Sequence, residues 1–253
     1  MIKILKSKDF TTSLLFALAG LIASAFAAIY QLQMLSPEMQ AQVIAQLGSV
    51  TAMIPIAALQ GLVLTFMTAL IGIKVAKKVN LTLNFTFDKN RALLSAAVGL
   101  AVALVITLSD RFIFAAVLPA QITQYAFSPI YFITGLLYGG IIEEVLLRLF
   151  VMSLLVLILW KVFSKKSDSQ NIPKWVYISA ITLAAAIFAA GHLPVTFQTI
   201  GTSVPIIIRC FLLNGIGGIG FGYLYWRHGL SYAILAHAMT HVFMQAVFMP
   251  ILF

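Results

Sequence analysis

Seven stretches of this chain, at about 11–34, 50–73, 92–109, 129–160, 175–193, 204–226 and 229–249, run almost free of charge over the length of a bilayer crossing. About 20 apolar residues at 1.5 Å each span the hydrocarbon. Apolar residues make up 62% of the chain and charged residues 9%, against about 25% charged in soluble domains. A soluble fold of this length has too little interior for so much apolar surface, so the solvent is membrane lipid. The expected fold is all-α: one transmembrane helical domain over 1–253, with about seven spans. The short apolar run 112–118 leaves room for a re-entrant half or an eighth span. Residues 37–47 read as an interfacial helix opened by Pro37. The 129–160 run exceeds one crossing, which predicts a tilt, a kink near Gly139-Gly140, or a break.

The net charge of +9 is a topology signal and not a nucleic-acid footprint. Lys3, Lys6, Lys8, Lys74, Lys77, Lys78, Lys89, Arg91, Lys161, Lys165, Lys166, Lys174 and Arg227 are thirteen of the sixteen basic residues, and all fall between spans on one side. That predicts the N-terminus inside and the C-terminus outside. Ala25-Phe26-Ala27 resembles a cleavage site, but the apolar run continues to Tyr30, so an uncleaved first span is expected. A lone cysteine, Cys210, reads as a small buried thiol. The GxGxxG string Gly215–Gly220 lies inside a span, with no acidic residue after Asp168. It therefore lacks the carboxylate a dinucleotide site needs. Gly218 and Gly222 read instead as close helix packing, with Asn214 bonding across helices.

Seven acidic residues are present. Asp9, Glu38, Asp88, Asp110 and Asp168 sit at span ends or in loops, where water is expected to solvate them. Only Glu143 and Glu144 interrupt an apolar run, and a charge at that depth costs about 2.5–3.5 kcal/mol on insertion scales. Glu144 and Arg148 are i,i+4 and face one another. Glu143 points about 100° away and has no local cation. Three histidines also lie in or at the ends of spans: His192, and the i,i+4 pair His237 and His241. His228 reads as interfacial. Counting from the inner ends, Glu143 and His192 lie about 26 Å along their helices, and His241 about 6–8 Å shallower.

One convergent polar site between helices is the reading these residues support. Two chemistries fit it. Glu143 and His192 activate a water while His237 and His241 hold an oxyanion. Alternatively, zinc is held by a set drawn from Glu143, His192, His237 and His241. HExxH, GxSxG and GxGD are all absent. A non-enzymatic membrane protein, either a proton-coupled transporter or a bacteriocin-immunity-type binding protein, is the competing class. A relay would string the same groups along a path.

Three ordered motifs, Glu143-Glu144-Val-Leu-Leu-Arg148, Phe188-Ala-Ala-Gly-His192 and His237-Ala-Met-Thr-His241, occupy separate spans. Together they resemble the CAAX-protease and bacteriocin-processing group of intramembrane proteases, relatives of the CAAX prenyl endopeptidases. The resemblance covers a core of about 129–249. It implies a polytopic endopeptidase of a prokaryotic plasma membrane, acting on membrane-associated peptides or proteins. By this resemblance Glu143 is the base with His192, and Glu144 and Arg148 shape the site and position substrate. His237 and His241 stabilise the tetrahedral intermediate. The group is described both as metal-dependent and as a metal-free glutamate type. His241 stands where the group has Asn or Asp.

Overall fold

The computed structural model describes residues 7–120, 125–164, 168–169 and 171–253. Helices account for the regular structure and no strand occurs among the described residues. Seven helices are long and apolar enough to cross a membrane: α1 (Lys8–Met34), α3 (Val50–Lys78), α4 (Lys89–Phe112), α5 (Pro129–Phe163), α6 (Lys174–Gly191) continued by α7 (Leu193–Thr199), α8 (Val204–His228) and α9 (Leu230–Leu252). α2 (Pro37–Leu47) is a short helix with no buried residue, capped by Ser36 and ended by Gly48 at φ 77°. Residues 115–117 make only a single tight turn, so neither a re-entrant half nor an eighth span arises there among the described residues.

The crossings alternate, so the ends bearing Lys8, Lys77, Lys89, Lys174 and Arg227 share one face of the bundle. Lys77 pairs with Asp9 there at 2.6 Å. The charges expected at Lys3, Lys6, Lys165 and Lys166 lie outside the described residues. Toward the other end Asp110 is 6% exposed and takes both arms of Arg209, at 2.6 Å each, tying α4 to α8. This corrects the expectation that water solvates Asp110. A cation one helix away makes burial tolerable, and the linear sequence does not show it.

Small residues set the close approaches. A Cβ on Gly218 would lie 2.7 Å from Ala185, and one on Gly222 would lie 3.0 Å from Ile181, so α8 packs backbone-to-backbone on α6 as the GxxxG spacing predicts. Among the described residues Asn214 bonds within its own helix and not across to a neighbour. Its amide bonds the Cys210 carbonyl one turn back at 2.8 Å. Cys210 is buried, its thiol 3.3 Å from the Ala189 carbonyl.

Two features position the site. First, α5 is neither broken nor split. From Gly135 to Glu143 and from Val145 to Met152 its turns widen to the i→i+5 register. This accommodates a 35-residue segment in one crossing and is a register found at functional sites. Second, the α8–α9 turn is strapped. Gly229 adopts φ 104°, ψ 166°, a conformation open essentially to glycine alone. The following amides of Leu230 and Ser231 donate to Thr82 and Leu83 carbonyls at 3.0 Å. The Asn84 side chain bonds the His228 carbonyl at 2.7 Å. With its start held by the 79–88 segment, α9 brings His237 level with Glu144. Counting residues from a free helix end does not capture this.

Candidate active site

α5, α6 and α9 deliver the acid, the first histidine and the histidine pair, and α8 closes the back with Phe221. His192 sits where α6 ends, because Pro194 in the first turn of α7 cannot continue the α6 hydrogen-bond ladder. Its Nδ1 lies 2.9 Å from the Phe188 carbonyl, one turn back. A carbonyl only accepts, so Nδ1 carries the proton, and Nε2 is turned toward the site.

Glu143 lies between two imidazoles. Its Oε1 is 3.7 Å from His192 Nε2 and its Oε2 is 3.8 Å from His237 Nε2. Both distances exceed a direct hydrogen bond. Glu143 keeps 17% of its side-chain surface exposed, whereas Glu144 keeps none. Adjacent carboxylates thus occupy different environments, as their angular offset predicts.

Glu144 does more than the sequence implies. Its Oε2 is 3.3 Å from Arg148 Nε, and its Oε1 also takes the Nδ1–H of His237 at 2.9 Å. The Arg148 contact is an ion pair and not a well-aimed hydrogen bond, since Glu144 Oε2 and both Arg148 terminal nitrogens have no hydrogen-bond partner among the described residues. The guanidinium lies over Phe188 at 4.7 Å and near Phe221 at 5.5 Å. Phe221 in turn stacks on His237, centroids 4.5 Å apart. His237 and His241 stack at 5.3 Å as the i,i+4 spacing predicts. Four of the six expected site residues therefore form one contact chain, Arg148–Glu144–His237–His241. Glu143 and His192 face that chain at His237.

Sequence reasoning missed Phe221, Gln245 and the glycine pair Gly135/Gly139. Gln245, wholly buried, approaches His241 Nδ1 at 3.1 Å. The available signal was a glutamine one turn beyond His241 in an apolar run. Gly139 was legible only as part of a possible kink near Gly139-Gly140, and Gly135 carried no signal of its own.

The donors do not gather as a metal site. Among the described residues no group of three or more His, Cys, Asp or Glu side chains is arranged to hold a metal ion. Glu143 turns a different oxygen to each of two histidines, and His241 has its Nδ1 engaged by Gln245. As placed, the described side chains are not assembled around a zinc position, and the chemistry proposed for them uses none.

Fold and site together define a polytopic helical membrane protein with a buried glutamate–histidine cluster. Residues 124–243 match the family model described as Rce1-like, type II CAAX prenyl endopeptidase Rce1-like. This segment, which carries Glu143, Glu144, Arg148, His192, His237 and His241, is similar to the CAAX-protease type of intramembrane endopeptidase. Comparisons with curated proteins and with solved structures found no match.

Proposed function

We propose that this chain hydrolyses peptide bonds of membrane-associated peptides or proteins in a prokaryotic plasma membrane, with Glu143 as general base. One observation carries the reading: Glu143 faces His192 and His237 at 3.7 and 3.8 Å instead of lying on a line of separated groups. Convergence on one reacting centre suits hydrolysis, whereas a proton path needs its groups in series.

His192 Nε2 and the Glu143 carboxylate are both acceptors, and a water donating to each satisfies both. Its oxygen attacks the scissile carbonyl carbon as its proton passes to Glu143. The carbonyl oxygen becomes an oxyanion. It is received by Nε2–H of His241, and by Nε2–H of His237 when both nitrogens of that ring are protonated. Collapse breaks the C–N bond, and Glu143 returns the proton to the departing amine. Glu144 holds the His237 ring through Nδ1, and Arg148 neutralises Glu144.

The test is Glu143→Gln, which keeps the shape and removes the base. Purified parent and variant are reconstituted in vesicles with a pool of membrane-spanning peptides, and products are read by mass spectrometry. A loss of about 10²–10⁴-fold is expected. Cleavage by Glu143→Gln at the parent rate sinks the proposal. Proton flux through parent vesicles without cleavage would favour the transporter class.

A further inference from the structure

His241 departs from the Asn or Asp that the resemblance leads one to expect, and the structure surrounds it with features that no motif includes. Gln245 follows one turn later, in the widened turn Met244–Phe248, beyond the end of the matched segment at residue 243. It is 0% exposed. Its amide nitrogen lies 3.1 Å from His241 Nδ1. Its backbone carbonyl accepts the Tyr125 hydroxyl at 2.8 Å, anchoring this turn to the segment that leads into α5. Its side-chain oxygen has no hydrogen-bond partner among the described residues. A buried amide half-satisfied in an apolar helix is costly, so this residue is more than filler.

The facing wall is bare backbone. A Cβ on Gly135 would lie 2.6 Å from His241 Nδ1 and 2.9 Å from Gln245 Nε2. A Cβ on Gly139 would lie 2.5 Å from His241 Nε2 and 3.4 Å from His237 Nε2. The imidazole and carboxamide therefore lie against two glycines of α5. His241 Nε2 points to the same place as His237 Nε2, which faces Glu143.

We infer that Gln245 is a positioning residue that fixes His241 in its Nε2–H tautomer, so that a neutral histidine serves as hydrogen-bond donor where a carboxamide would otherwise stand. The inference rests on the proposed role of His241 at the oxyanion. The chemistry is direct. An amide N–H only donates, so Nδ1 must accept, and in a neutral ring the proton then resides on Nε2. Without the amide both tautomers are open, and one of them presents a lone pair to the oxyanion.

The experiment combines ¹⁵N-histidine NMR of the full chain in micelles with kinetics on a peptide cleaved by the parent. The His241 signal is assigned by its loss in His241→Ala. The parent should show the Nε2–H tautomer at His241. Gln245→Met should mix the tautomers and lower kcat by about 10–100-fold with KM nearly unchanged. Gln245→Glu keeps size and reach but can only accept. It should reverse the tautomer and lower kcat by a comparable factor, which a space-filling role would not do. A parent His241 in the Nδ1–H form overturns the inference, and this measurement needs no variant at position 245 to fold. Both variants retaining parental kcat while His241→Ala loses activity would also overturn it alone. If His241→Ala itself cleaves normally, the oxyanion assignment in the proposed function is what fails.

Discussion

Replacing Arg148 by Met tests the buried charge arrangement most directly. Arg148 is 1% exposed and Glu144 0%, so water cannot solvate the carboxylate once its cation is gone. Breaking a buried pair from one side costs about 3–5 kcal/mol, because the remaining charge is uncompensated. The lost stacking on Phe188 and Phe221 adds to this, and methionine's own contacts with the rings offset about 0.3–1.5 kcal/mol. The net expectation is a loss of about 3–5 kcal/mol, a large share of a usual stability of about 5–15. Adding Glu144→Gln removes the orphaned charge and leaves an acceptor for His237 Nδ1–H. The double variant should therefore recover about 2–3 kcal/mol while remaining poorly active. Denaturant unfolding in micelles, followed by fluorescence of the three tryptophans, measures each corner of the cycle. Arg148→Met within about 1 kcal/mol of the parent would refute the burial argument. A double variant no more stable than the single would refute the claim that an orphaned charge is the cause.

Gly139→Ala places a methyl 2.5 Å from His241 Nε2. It should abolish most turnover, by about 10²-fold or more, in the same peptide assay, because the displaced ring no longer reaches the oxyanion. Gly218→Ala drives a methyl to 2.7 Å from Ala185 and should cost about 1–3 kcal/mol by unfolding measurements. Gly191→Ala, with nothing within 4 Å, should stay within about 0.5 kcal/mol. Treatment with a zinc chelator should leave cleavage unchanged, and elemental analysis of the purified protein should find no stoichiometric zinc. Activity lost on chelation and restored by zinc would show that the donors rearrange around a metal.

Much of the architecture follows from composition and spacing. Long uncharged runs must cross lipid as helices, because backbone polar groups have no other partner there. Small residues four apart must let helices approach, and Glu144 and Arg148 one turn apart must meet. Those are local or periodic constraints, and the linear chain carries them in full.

What only the tertiary structure decided is which groups meet across helices. Asp110 reads as solvated until Arg209 arrives from another helix, ninety-nine positions away. Glu144 reads as the partner of Arg148 alone until α9 sets His237 against its other oxygen. Gln245 has no meaning until the glycine face of α5 shows where His241 must point. Such pairings depend on widened turns and a strapped hairpin that shift one helix along another, and no residue count along a single helix contains that shift.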